Sequence, residues 1–326
     1  MVDNKKQLNA EDVMVSVIVL TYNHEKYIRQ ALDSILMQKV DFKYEILVGD
    51  DASTDGTPDI LSEYQTRYPD IVKPVFREKN LGATYNAYNL LCTAKGKYIA
   101  ACEGDDFWSN QDKLKKQVAF LESHLEYIGC AHKCHIVDEE GVLARKQKLP
   151  WVTKKRIYTL RNFQGLILPG QAATIVRRNI YRNAKYDYSI FFQAHRQIGD
   201  RTTALIYAAQ GDFYCFPEVM SCYRKRRINI SLTNQIYYQS VEHVWCDFLY
   251  TKRLEDYAKD VLKVDAGFRV HKRDLLTSAV YYWFRGARGR GRYVINEIIK
   301  SEPAGWRMFA YLPIGIIKKI YARIAY

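Results

Sequence analysis

The first sustained apolar run, Val15–Leu20 (VSVIVL), is rich in β-branched residues and unbroken, as expected of a strand covered on both faces. Asn23 is placed to cap a helix running to about Gln38, because Ile28, Leu32, Ile35 and Leu36 then share one face. Tyr44–Val48 (YEILV) predicts a second buried strand. The turn-rich DDASTDGTP follows it, with Thr57 and Pro58 as the cap and first residue of the next helix. Ile71–Phe76 predicts a third strand, and Asn80-Leu81-Gly82 opens another helix. Tyr98–Cys102 predicts a fourth strand, before a helix over about Asp112–Ser123.

Strands and helices alternating at this spacing predict βαβ units: an α/β, Rossmann-like, mostly parallel sheet flanked by helices. Ligands of such sheets bind outside the carboxyl ends of the strands. There the chain places Thr21-Tyr22-Asn23, Asp50-Asp51 and Glu103-Gly104-Asp105-Asp106, so three polar clusters should share one rim. From about Lys146 to Arg227 the pattern is mixed, with a strand expected at Ala173–Arg177; beyond Gln235 it is helical. Two regions follow: a catalytic-type domain over 12–230 and a helical C-terminal appendage over 235–326.

Composition narrows the partners. With 48% hydrophobic and 26% charged residues the chain is too apolar for a disordered protein. Its formal charge of +13 suits a polyanionic partner. The segment MVDNKKQLNAEDVM has no apolar core of the signal-peptide kind, and no apolar run reaches the roughly 18 residues of a membrane-spanning helix. A cytoplasmic location is therefore expected. Seven cysteines, an odd number without framework spacing, read as reduced thiols. Cys130, His132, Cys134 and His135 are ligand types for zinc, but strand alternation puts the first three on one face and His135 on the other. No second pair follows downstream, so ordinary strand residues are expected.

Neither GxGxxG after the first strand nor GxxxxGK[ST] anywhere is present, so the phosphates of a nucleotide must be held another way. Clustered carboxylates offer hard oxygens to Mg²⁺ or Mn²⁺. Two like charges about 4 Å apart repel by roughly 1 kcal/mol in water and about 4 at an effective dielectric of 20, a cost that a divalent cation reverses. Solvated acids at a helix start are the alternative for EGDD alone. The company of Asp50-Asp51 on the same rim favours the metal.

Four stretches in order, VSVIVLTYNHEKYIRQALDSILMQ, YEILVGDDASTDGT, NLGATYNA and AKGKYIAACEGDDFW, resemble the GT-A-fold, family 2 glycosyltransferases over about residues 14–230. The resemblance implies inverting transfer of a sugar from a nucleoside diphosphate-sugar, with Mn²⁺ or Mg²⁺ as cofactor. Carried over by position, it puts Thr21 and Asn23 at the nucleotide pocket, Tyr22 against the base, and Asp51, preceded by Asp50, on a base that is commonly uracil. Glu103, Asp105 and Asp106 match the DxD acids that bind ribose and the metal–diphosphate. The segment Ile198-Gly199-Asp200-Arg201, with AAQGDFYCFPEVMSCYR after it, matches the one that carries the catalytic base, Asp200. On its residues alone Asp200 reads as a helix cap after Gly199, and Asp212 is its rival as base.

The chain departs from the family pattern in three places. Glu103 replaces the first DxD aspartate and reaches further. Tyr85-Asn86 stands where the family often has Arg-Asn, leaving Arg77 as the substitute cation. Arg226 stands where some members have a histidine, so Arg224 and Arg226 are expected to clamp the diphosphate. Gln171, Thr174 and Arg177 fall on the family's acceptor-side strand. The QxxRW signature of processive synthases is absent, which favours addition of single sugars. The resemblance implies a saccharide or lipid-linked saccharide acceptor, in surface polysaccharide synthesis.

Residues 285–326 carry nine basic side chains against Glu297 and Glu302, interleaved with Trp306 and Phe309, as suits an anionic membrane surface. A helical cap with a basic outer face is the alternative. Two other functions compete. A sugar nucleotidyltransferase usually carries a glycine-rich basic loop after its first strand, which TYNHEKY lacks. A nucleic-acid binder using the basic tail has no use for rim carboxylates, so no nucleic-acid partner is expected.

Overall fold

The computed structural model describes residues 12–145, 147, 156–164, 168–225, 240–303 and 305–312. Its strands are β1 (Val15–Thr21), β2 (Tyr44–Asp50), β3 (Val72–Phe76), β4 (Tyr98–Glu103), β5 (Phe107–Trp108), β6 (Tyr127–Val137), β7 (Ile157–Tyr158), β8 (Val176–Arg178) and β9 (Asp212–Arg224). The helices are α1 (Ile28–Leu36), α2 (Thr57–Arg67), α3 (Ala83–Thr93), α4 (Lys113–Ser123), α5 (Leu160–Phe163), α6 (Ile190–Gln193) and α7 (Asp200–Ala208), then α8 (Val241–Tyr257), α9 (Arg269–Phe284) and α10 (Arg288–Lys300). The chain divides into two compact units, residues 1–162 with 167–227, and residues 163–166 with 228–326.

The first unit is one mixed sheet in the order β3-β2-β1-β4-β8-β6-β9-β5, with β7 on β9. Its β3-β2-β1-β4 half is parallel, while β8 enters antiparallel between β4 and β6. β1 is covered on both faces, as its composition requires. Val15, Val17 and Val19 pack with Ile28, Ala31, Leu32 and Ile35 of α1, while Ile18 packs with Leu90 and Leu91 of α3 on the other side. Burying each such side chain contributes roughly 1.5–3 kcal/mol, which holds the parallel strands in register beneath the site.

Local details depart from the sequence expectations. α1 begins at Ile28, with Tyr27 at its N-cap position and no side-chain cap, because Asn23 adopts a left-handed backbone (φ 55) and turns the chain before any helix can start. The expected strand at Ala173–Arg177 is a short 3₁₀ turn, Ala172–Thr174, followed by β8. β6 forms over the cysteine-histidine stretch, but register shifts between Ala131 and Cys134 break its strict alternation. In the second unit α8, α9 and α10 share a core of Val244, Phe248, Leu276, Ala279, Val294 and Ile298. Within it Lys272, fully buried, is neutralised by Glu255 and Glu302.

Candidate functional site

Register alone gathers the acids. Thr21 lies opposite Asp50 and Leu20 opposite Glu103, so three parallel strands end side by side. The ladder runs on past the strand ends, with Asp51 N–H donating to Thr21 O (3.0 Å) and Gly104 N–H to Leu20 O (2.8 Å). Position 104 has to be glycine. A Cβ there would stand 2.7 Å from His24 Nδ1 and 3.0 Å from Leu20 O.

A cavity of ≈ 470 Å³ opens over this rim and brings together Thr21, Tyr22, Asp51, Glu103 and Asp105 of the expected residues. Asp51 is 4% exposed, and its two carboxylate oxygens accept the N–H groups of Leu81 (2.8 Å) and Gly82 (2.9 Å). The Asn80–Gly82 loop is thereby folded onto the rim, and Asn80 Nδ2 donates to Asp51 O (3.2 Å). Among the further lining residues, sequence reasoning gave no site role to Asn80 or Asn86 and did not single out His24, Arg196 or Gln197 at all. His24 Nε2 stands 3.8 Å from Asp105 Oδ2. Its position in TYNHEKY, one residue past the expected pocket motif, was the available signal. Arg196 and Gln197 come from a loop more than a hundred residues downstream, where nothing in the local pattern marks them.

The other expected residues stand off this cavity, each for a visible reason. Asn23 Oδ1 accepts from Thr54 N–H (2.8 Å), tying two loops together. Asp50 is buried and caps its own turn through Ser53, and burial pushes its carboxyl up from the ordinary value. Arg77 donates from Nε to Asn86 Oδ1 (3.0 Å), behind the lining. Asp106 is 1% exposed; Oδ1 accepts from Arg224 N–H (2.8 Å) and Oδ2 from Gln171 Nε2 (2.7 Å). Burial, and then the charge of Asp105, push its carboxyl well up. Gln171 is held in turn by Ala173 N–H on its Oε1 (2.7 Å).

Arg224 corrects the expected diphosphate clamp. Its guanidinium is buried and donates to the carbonyls of Asp105 (2.8 Å), Asp138 (3.1 Å) and Glu139 (2.6 Å) and to Gln30, between the rings of Tyr27 and Phe107. An arginine so committed holds the acidic loop from behind. Arg226 lies outside the described residues.

Asp200, the first residue of α7, lines a second, smaller cavity of ≈ 130 Å³ that shares Leu20, Ala83, Glu103 and Gln197 with the first. Asp200 is exposed; partial desolvation by the surrounding protein pushes its carboxyl up, while Arg177 and Arg201 pull it down. Arg177 lies in the same cavity, stacked 4.8 Å from the centre of the Tyr207 ring. Asp212 begins β9 and lines neither cavity. Among the described residues no three or more His, Cys, Asp or Glu side chains are arranged to enclose a metal. Glu103 and Asp105 face the open cavity as two hard-oxygen donors, which suits a cation whose remaining ligands are phosphate oxygens and water.

Residues 16–185 match the family model described as Glycosyl transferase family 2. The uncharacterized protein Mb1547 of Mycobacterium bovis is 35% identical over 216 residues, 65% of this chain and 58% of that protein. The chain thus spans less than two thirds of that relative's length. Among solved structures, S. aureus TarS in complex with UDP-GlcNAc superposes with a TM-score of 0.62 at 19% identity, covering 94% of this chain and 89% of that one. The mannosyltransferase PcManGT from Pyrobaculum calidifontis, in complex with GDP-Man and Mn²⁺, does so with a TM-score of 0.51 at 17% identity, covering 95% and 86%. At such identities the likeness is one of fold, and the fold is the GT-A one expected from the four sequence stretches.

Proposed function

The chain belongs to glycosyl transferase family 2, and from that premise we propose that it moves a single sugar from a nucleoside diphosphate-sugar, a UDP-sugar first among them, to a saccharide or lipid-linked saccharide acceptor. The observation that carries the reading is the pair of adjoining cavities: Thr21, Tyr22, Asp51, Glu103 and Asp105 line one, and Asp200 the other, with Glu103 common to both.

In this reading Tyr22, 44% exposed, offers its ring to the base. Asp51 has oxygen lone pairs left beyond its two backbone bonds and accepts from the base edge. Glu103 and Asp105 would hold Mn²⁺ or Mg²⁺, which when bound neutralises charge on the departing diphosphate. Asp106, Gln171 and Arg224 keep that acidic loop in place from behind. Asp200 takes the proton of the acceptor hydroxyl as its oxygen bonds the anomeric carbon from the side opposite the leaving group. The bond to the diphosphate oxygen breaks, and the sugar is inverted. A carboxyl raised by its surroundings is a stronger base than a free aspartate, which suits that transfer.

The second unit exposes Phe284 (73%) and Trp306 (66%) beside the exposed Arg285, Arg288, Arg292 and Arg307. This supports docking on an anionic membrane surface, where each basic residue contributes about 1 kcal/mol. No described helix is long and apolar enough to cross a membrane, and residues 313–326 of the basic tail lie outside the described ones.

The test is a nucleotide-release screen of UDP-, GDP- and dTDP-sugars with Mn²⁺ and a panel of saccharide and lipid-linked saccharide acceptors, run beside Asp200→Asn. Release from at least one donor by the wild type, cut about 100-fold or more by Asp200→Asn with nucleotide binding intact, supports the reading. Release that survives Asp200→Asn removes Asp200 as the base, and no release from any donor refutes the activity.

A further inference from the structure

Three carboxylates, Asp51, Glu103 and Asp105, face the rim cavity, and a diphosphate entering it would meet repulsion unless cations stand opposite. Arg196 is the one lysine or arginine among the described residues lining it. The other arginines near the rim are committed: Arg77 to Asn86, and Arg224 to three backbone carbonyls and Gln30. Tyr85, standing where an arginine is common in the family, turns away to meet the ring of Phe192 edge-on at 5.0 Å.

Arg196 is built into place. Its Nη2 donates to Asn80 O (3.0 Å) and Asn80 Oδ1 (3.2 Å), and both bonds use that one nitrogen. Its stem passes over Gly82, where a Cβ would come within 2.5 Å of Arg196 Cγ. Gly82 also has φ 94, so glycine is required there twice over. The backbone of the same loop is stitched to the start of α3: Thr84 N–H donates to Arg196 O (3.2 Å), and Thr84 Oγ1 to His195 O (2.7 Å) and Arg196 O (2.8 Å). The guanidinium is exposed in the cavity, with Nε and Nη1 left for a ligand.

We propose that Arg196 is the cationic contact for the diphosphate of the nucleotide donor, delivered by the loop before α7 in place of the cation that α3 does not supply. The proposal rests on the nucleotide-donor reading above. It adds a coupling as well: Arg196 lies four residues before Asp200 on the same loop, so a diphosphate held by Arg196 also anchors the segment that starts α7.

The experiment is calorimetric titration of the full chain with UDP, GDP and ADP in Mn²⁺, then with the monophosphate and nucleoside of the one that binds (UMP and uridine for UDP, with the outcomes below read for that base), for the wild type, Arg196→Gln and Arg196→Lys. Removing one charge-assisted hydrogen bond corresponds to about 10- to 100-fold in Kd. Arg196→Gln should weaken UDP by that factor, UMP by less, and uridine by less than about threefold, with Arg196→Lys between Gln and wild type for UDP. Equal weakening of UDP and uridine would place Arg196 on the nucleoside, and an unchanged UDP affinity would remove it from the site; either overturns the proposal. A wild type that binds none of UDP, GDP and ADP refutes the nucleotide reading itself, an outcome distinct from a binding wild type with an indifferent Arg196→Gln.

Discussion

Replacing Asp51 by alanine removes the carboxylate on which the Asn80–Gly82 loop is folded. The side chain is 4% exposed and accepts two backbone N–H groups, at 2.8 and 2.9 Å. Hydrogen bonds to a charged group contribute about 1.5–3 kcal/mol each, and a donor left buried without a partner costs about 1–3 kcal/mol. The loop borders an open cavity, so its freed N–H groups can turn toward water, which sets the destabilisation near the lower end, about 2–3 kcal/mol in all. For a unit of this size that is a fall in Tm of roughly 5–10 °C. The same loop carries Asn80, which holds Arg196, so nucleotide affinity should drop at least about tenfold. Differential scanning calorimetry and UDP titration on Asp51→Ala and Asp51→Asn measure both. Asn keeps one acceptor oxygen and should fall between alanine and wild type. An Asp51→Ala protein with unchanged Tm and unchanged affinity would refute the claim that this carboxylate organises the rim.

The acids on either side of position 105 should separate by role. Glu103→Gln and Asp105→Asn should weaken metal-dependent nucleotide binding with little change in Tm, while Asp106→Ala, which strands Arg224 N–H and Gln171, should lower Tm first; the reverse ranking would put Asp106 on the metal. Lys113 is fully buried with no hydrogen-bond partner among the described residues, 4.1 Å above the Trp108 ring, and desolvation brings its amine down to about 7. Between that value and its ordinary 10.5 the unfolded chain binds the extra proton, so this group's contribution to stability rises with pH across that window. Lys113→Met should therefore be more stable than wild type near pH 7, by up to a few kcal/mol on the order set by such a shift. The gap should close towards pH 10, and a gap independent of pH in thermal melts would contradict this. For the membrane reading, replacing the exposed Phe284 and Trp306 by serine and Arg285, Arg288 and Arg307 by glutamine should reduce co-sedimentation with anionic vesicles, and equal sedimentation would refute it.

Much of the site could be read from the chain because parallel strands end in register. An apolar run of known length, VSVIVL or YIAAC, fixes where its last residue falls, and the next polar residues then belong to the rim. Thr21, Asp51, Glu103 and Asp105 reach the cavity for that reason. The pattern misleads where a side chain's direction, rather than its position, decides. Asp106 follows Asp105 directly, but the chain turns there and buries it against Gln171 and the backbone of β9. Arg224 was expected to clamp the diphosphate. Three carbonyls from the loops after β4 and β6 converge on it, a tertiary arrangement that no local pattern announces. Asn23 has good helix-capping chemistry, and its tolerance of a left-handed backbone was used for a turn instead.

A metal-dependent nucleotide site on the rim is tested most directly by one binding measurement: titration of the full chain with UDP, GDP and ADP in Mn²⁺, repeated after EDTA treatment. The expected result is saturable binding of at least one nucleoside diphosphate that is abolished without metal and weakened by Glu103→Gln together with Asp105→Asn. Binding that is indifferent to metal and to both substitutions, or no binding of any of the three, would contradict it.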